Sequence, residues 1–174
     1  LEPGEQFCLM YHHKAPHRNW MPALRHLDVY NDTDKPVPET YFDDYSDRGT
    51  AAKEQEMEIA GDLVPGWDLK VGKGDSSSDI GMERGWYWKR RRMTEAQRSV
   101  WDEAYARRNQ EFRETDFTDK DLALWKYQAY IKDYLRTVKA VDENVGKLLN
   151  YLQESGLDRN TVVIYTSDQG FYLG

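Results

Sequence analysis

Asp168 and Gln169 follow an apolar, β-branched run at residues 161–165 and sit in the polar turn 166–170. A carboxylate and an amide oxygen thus stand side by side at the end of a segment that reads as a buried strand. Hard cations such as calcium take roughly six to eight oxygen ligands, so two adjacent donors complete a site begun elsewhere. The same pair also suits an Asp-initiated turn, in which the carboxylate caps backbone N–H groups. A second chemical group follows the other apolar run, residues 5–11, and consists of His12, His13, Lys14, His17 and Arg18. A histidine there can donate a proton near neutral pH. Lys14 and Arg18 can hold an oxyanion through charge-assisted hydrogen bonds, and a polar loop holding several histidines is the plainer alternative. Zinc is disfavoured, because no third and fourth ligand follows at a helical or loop spacing.

These groups need a scaffold to meet. Neither apolar run alternates, so both read as strands covered on two faces, as in a parallel sheet. In one such sheet both loops leave the same edge, where open α/β sheets place their ligands. Cation-binding oxygens opposite an anion-binding histidine suit hydrolysis of a sulfate or phosphate ester. Two strands do not make a stable sheet, so neighbouring strands are expected from sequence outside residues 1–174.

The strongest periodic signal lies in residues 118–155. Tyr127, Ile131, Tyr134, Val138, Val141, Val145, Leu148 and Leu152 recur at spacings of four and three, one continuous stripe of a long helix. Thr118 with Asp121 suits its start, and Gly156 supplies a left-handed stop. Residues 94–115 read as a surface helix, residues 21–30 as a short helix with Pro22 in its first turn, and a further helix is expected from about Arg48. Residues 66–85, around a Gly- and Ser-rich centre, read as a long loop or insertion.

Hydrophobic residues make up 39% and charged residues 32%, a surface-rich composition expected to bury some area against further chain. The net charge of −7 argues against a nucleic-acid partner. The basic run Lys89, Arg90, Arg91 and Arg92, following Trp86, Tyr87 and Trp88, reads as a solvated face, with binding of a nucleic-acid strand or an anionic sugar as the alternative. No run approaches the roughly eighteen apolar residues of a membrane span. The single cysteine, Cys8, excludes an internal disulfide and is expected to be buried.

Three stretches resemble the sulfatases of the alkaline-phosphatase superfamily, in particular those of the bacterial N-acetylglucosamine-6-sulfatase type. FCLMYHHKAPHRNWMPALRHLDVY is similar to the family's strand and A-P-H-x-x-W loop, and YIKDYLRTVKAVDENVGKLLNYLQESGLDRNTVVIYTSDQGFYLG to its long helix, turn and metal-ligand strand. VPETYFDDYSDRGTAA is a weaker match to the connection between them. Together they cover about half of the chain, and residues 60–115 carry no family signal and read as an insertion or surface region of one partial catalytic domain.

The resemblance implies an α/β fold, a mainly parallel, mixed sheet flanked by helices and incomplete in this chain. It implies hydrolysis of a sulfate ester on a glycosaminoglycan-type sugar, in a periplasmic or extracellular setting. In this family a cysteine in a C-x-P-x-R motif becomes formylglycine, whose hydrate attacks sulfur, and calcium anchors the sulfate. Asp168 and Gln169 match the calcium-binding acid–amide pair. His17 matches the histidine that contacts sulfate and protonates the leaving sugar oxygen, and Lys14 is a further sulfate or substrate contact. Leu9, Met10 and Tyr11 follow Cys8, so Cys8 is not the nucleophile. The nucleophile and remaining calcium ligands are expected before residue 1, and the isolated segment is expected to be inactive without the remainder of the sulfatase chain. A phosphodiesterase or phosphonate monoester hydrolase on the same scaffold is the enzymatic alternative. A non-catalytic sugar-binding module, stacking saccharide on Trp20, Trp86 and Trp88, is the alternative from another class.

Overall fold

The computed structural model describes residues 5–72, 86–170 and 173. Its framework is an antiparallel pair of helices, α5 (Glu95–Glu114) and α6 (Asp119–Glu154). Both begin where local chemistry dictates. Thr94 caps α5 in a reciprocal box with Gln97, and the Thr118 hydroxyl accepts from the Asp121 N–H, satisfying amides that the first turn leaves free. α6 stops at Gly156, whose φ of +71° is the left-handed value that glycine adopts without a Cβ penalty.

Among the described residues, four shorter helices, α1 (Thr50–Lys53), α2 (Ile59–Asp62), α3 (Pro65–Asp68) and α4 (Trp86–Arg91), together with the 3-10 turns Leu24–His26 and Leu157–Asn160, complete the order. The connecting chain wraps α6 through specific bonds. The Tyr41 hydroxyl donates to the Ala123 carbonyl, the Tyr127 hydroxyl donates to Pro36, and Gln128 exchanges bonds with Lys35 through both amide atoms. Farther along, Arg25 and His26 converge on Glu143. One apolar cluster gathers Trp20, Leu63, Leu69, Val71, Tyr127, Tyr130 and Ile131, and a second gathers Leu27, Trp86, Trp101 and Tyr105.

Several expectations are corrected. The short helix at residues 21–30 is a single 3-10 turn followed by further turns, and the helix expected from Arg48 is two separate one-turn segments, α1 and α2. The run at residues 66–72 is core rather than loop, because Leu69 and Lys70 are fully buried, while residues 73–85 lie outside the described residues. Residues 60–115 supply Leu63, Leu69, Val71, Trp86, Trp101 and Tyr105 to the two clusters.

The two runs read as buried strands are extended but form no ladder among the described residues. They are also exposed: Val162, Ile164 and Tyr165 are 87%, 81% and 79% accessible, and Cys8, expected to be buried, is exposed with its neighbours. A strand is stabilised by its cross-strand neighbours, and none of the described residues pairs with these segments.

Candidate active site

The loop from His12 to Trp20 gains its shape from residues far away in sequence. The His17 N–H donates to the Lys14 carbonyl at 3.0 Å and the Trp20 N–H to the His17 carbonyl at 3.0 Å, closing two successive turns. Ala15–Pro16 and Arg18–Asn19 are both cis, and Trp20 has φ +46°. That value is unusual for a bulky residue, and Trp20 is held there by complete burial, edge-on to Tyr130 with centroids 4.6 Å apart.

Asp68, at the end of α3 and with no exposed side-chain surface, anchors the loop. It accepts two bonds of 2.7 Å from the Arg18 fork and one of 3.2 Å from the Asn19 amide, and it also accepts from the Val64 N–H at 3.0 Å. Its hydrogen bonds, then its charge, raise Arg18 above the ordinary guanidinium value against the effect of burial. Lys70 donates to the Asn19 and Asp68 carbonyls, fastening the loop from its other side.

Lys70 leads into a buried charge cluster. Its Nζ lies 3.1 Å from the Asp133 carboxylate, which also pairs with Arg108 at 2.7 Å and Arg136 at 2.8 Å. The Tyr105 hydroxyl donates to the same carboxylate. Burial alone would raise the Asp133 carboxyl, but the charges of Arg108 and Lys70 outweigh it and hold the group well below the usual carboxylate range. Burial lowers the Lys70 ammonium to about 8, with the charge of Asp133 offsetting part of the effect. The loop is therefore tied through Lys70 to both long helices.

Against this rigid base, His17 is exposed. Its Nδ1 lies 2.5 Å from the Arg18 carbonyl. A carbonyl oxygen only accepts, so Nδ1 carries the hydrogen, and among the described residues Nε2 has no partner. Lys14, also exposed, is held within the same turn. The structure thus places Lys14 and His17 in one turn, closed by the His17 N–H to the Lys14 carbonyl.

Asp168 and Gln169 are exposed at the end of the extended 161–166 segment. The Ser167 hydroxyl donates to the Gln169 carbonyl and accepts the Gln169 N–H, so a side-chain-closed turn presents the pair. Among the described residues the Asp168 carboxylate has no hydrogen-bond or ion-pair partner, and no group of three His, Cys, Asp or Glu side chains could hold a metal. No hydrogen bond or ion pair among the described residues joins this turn to the His12–Trp20 loop.

Two of the three Trp platforms required by a sugar-binding module, Trp20 and Trp86, are core residues at 1% and 6% exposure, whereas Trp88 is half-exposed. Asp68, Lys70 and Asp133 escaped the sequence reading. Their one local signal is charge embedded in apolar sequence, as in Asp68-Leu69-Lys70-Val71, which equally describes a half-buried strand.

Removing Asp68 tests the anchoring. Asp68→Ala leaves the Val64 N–H and the Asn19 amide short of an acceptor, while Arg18 can return to solvent. The expected cost is about 2–3 kcal/mol in urea unfolding of the full-length protein, with Asp68→Asn milder. A loss below about 0.5 kcal/mol would contradict this anchoring role.

Comparison with known proteins places the chain in a family. The chain is 50% identical over 173 residues to an N-acetylglucosamine-6-O-sulfatase of Bacteroides thetaiotaomicron, covering 99% of this chain and 31% of that relative. A solved structure, of a protein in complex with its substrate D-glucosamine-2-N,6-O-disulfate, matches with a TM-score of 0.88 at 51% identity, over 96% of this chain and 34% of that one. The chain thus spans about a third of the length of these relatives. The sulfatase family model matches residues 2–174, and the chain belongs to the sulfatase family.

Proposed function

We propose that the full-length protein carrying this chain removes sulfate from a 6-sulfated glucosamine-type sugar, using calcium and a formylglycine nucleophile supplied by sequence outside residues 1–174. The observation that carries this reading is the pinned loop, in which an exposed histidine has Nδ1 committed to the Arg18 carbonyl and Nε2 without a partner among the described residues. The similarity to an N-acetylglucosamine-6-O-sulfatase and to a protein holding a disulfated glucosamine supports the substrate class. The parallel sheet implied by the family supplies neighbours for the exposed runs 5–11 and 161–166.

With Nδ1–H engaged by the Arg18 carbonyl, Nε2 is the ring atom placed to donate a proton to the leaving oxygen. As the ester bond breaks, negative charge grows on the sugar oxygen, and Nε2 delivers its proton there. Lys14, within the same turn, offsets charge on the sulfate oxygens.

Asp168 and Gln169 fit one side of a calcium shell: both donors are hard oxygens, both are exposed, and the carboxylate is not spent on another protein group. Calcium bound there would place positive charge against the sulfate. Two oxygens fall short of the ion's usual coordination, so the remaining ligands come from elsewhere in the full-length protein.

The test is calcium titration of the full-length protein by calorimetry. Asp168→Ala is expected to weaken calcium binding at least about tenfold, with loss of sulfatase turnover restored in part at high calcium. Unchanged calcium affinity together with unchanged turnover would sink the assignment.

A further inference from the structure

The basic run at residues 89–92 divides into two pairs with different fates. Arg90 is committed to Asp102 through a bidentate ion pair, and Arg91 lies over the Trp88 ring at 5.8 Å. Lys89 and Arg92 have no carboxylate partner among the described residues. Both face an open depression of ≈ 290 Å³, lined with them by Met93 and Gln97.

The chemistry of this lining is one-sided. Lys89 and Arg92 can only donate hydrogen bonds. Gln97 spends its Oε1 on the Thr94 N–H, at 2.9 Å, which leaves its NH2 group to donate. No carboxylate lines the depression among the described residues. Lys89 is half-buried, and its ammonium is held below the ordinary lysine value first by burial and then by the charge of Lys14. Two cations held close without a counter-charge destabilise the chain alone and favour an anion from outside. Trp86, at the start of the same helix, donates to the Gly66 carbonyl of α3, beside the Trp67 carbonyl that holds Asn19, and Met21 and Met93 pack against the same apolar cluster, so the depression lies on the side of the molecule that carries the His17 loop.

We propose that Lys89, Arg92 and Gln97 form an anion subsite beside the Lys14–His17 turn, which holds a second acidic group, sulfate or carboxylate, of the saccharide whose 6-sulfate is cleaved. This rests on the sulfated-sugar reading above and adds to it a preference for polyanionic saccharides over singly sulfated sugar. Arg92 offers a planar fork to an oxyanion and Lys89 a point charge, so the subsite accepts either acid. Met93 gives it an apolar floor for a pyranose face.

The experiment compares two substrates in the full-length protein: N-acetylglucosamine 6-sulfate, and a disaccharide with the same sulfated residue plus a second sulfate or a uronate carboxylate. The ratio of their kcat/KM values is expected to fall about tenfold in Lys89→Ala/Arg92→Ala. The ratio should stay within about twofold in Arg91→Ala, which removes the same charge from the same run without touching the depression. The charge-preserving pair Lys89→Arg/Arg92→Lys should retain most of the preference. An unchanged ratio in the double alanine variant, or an equal fall in Arg91→Ala, would overturn the subsite. If the wild-type protein cleaves neither ester, the functional reading fails, and calorimetric binding of the same disaccharide decides the subsite on its own. A tenfold loss of affinity in the double variant supports it, and equal affinity refutes it.

Discussion

Replacing His17 with alanine in the full-length protein is expected to lower turnover of a 6-sulfated glucosamine about 10²–10⁴-fold, the usual worth of a positioned general acid. The leaving group is a sugar alkoxide, a poor leaving group that needs its proton during bond breaking. An aryl sulfate releases a phenolate stable enough to leave without help, so the same variant should lose far less activity on that substrate. This difference separates proton donation from sulfate binding. A histidine that only held the sulfate would be missed equally with both substrates, and an equal loss would therefore rule out the proton-donor role. Folding should be unaffected, because the ring is exposed and its side chain makes one hydrogen bond, to its neighbour's carbonyl. A melting temperature within about 2 °C of the wild type is the accompanying expectation.

The second large effect is on stability. Asp133→Ala leaves Lys70, Arg108 and Arg136 facing one another with exposures of 0%, 13% and 3% and without their shared carboxylate. Breaking a buried pair by removing one partner costs about 3–5 kcal/mol, and here three cations lose theirs, so the upper part of that range is expected. Urea unfolding of the full-length protein reads the loss directly. Pairing Asp133→Ala with Lys70→Met, which removes one stranded charge and keeps an apolar stem, should recover part of it. Additive losses would show that the charges are not coupled.

The pH dependence follows from the same cluster. The Asp133 carboxyl is held below its unfolded value of about 3.9, so its contribution is complete above that pH and is lost as pH falls towards the folded value. Lys70 acts at the other end. With a folded value of about 8, it loses its proton before the unfolded chain does, so its own contribution to stability rises between pH 8 and the unfolded value of about 10.4.

Because Lys70 also bonds the Asn19 carbonyl, damage to the cluster reaches the His17 loop. Asp133→Ala is therefore expected to impair turnover as well as stability. Asp133 is a positioning residue that acts through Lys70 and Asn19. Conservative replacement of Lys70 by arginine should fit poorly, since a fully buried site sized for an ammonium has no room for a planar fork.

What could be read from sequence was what depends on near neighbours. Thr118, Asp121 and Gly156 set the ends of the long helix within a few residues of themselves, so their caps were legible before any contact was known. The apolar stripe located α6 correctly, but of its members only Tyr127, Ile131 and Leu152 are buried, while Asp133 and Arg136 are buried without belonging to it. Periodicity counts apolar residues and is blind to charges that become buried because distant partners satisfy them.

The sequence by itself determined the two long helices and the acid–amide pair after its apolar run, because each follows from local backbone and side-chain chemistry. Only the tertiary structure decided that Asp68 and Lys70, about fifty residues from the loop, fix His17 in place, and that among the described residues Lys89 and Arg92 have no carboxylate partner while Arg90 does. Those choices depend on which partners folding brings within a few ångströms, and a pairing across that distance leaves no period or spacing in the chain to read.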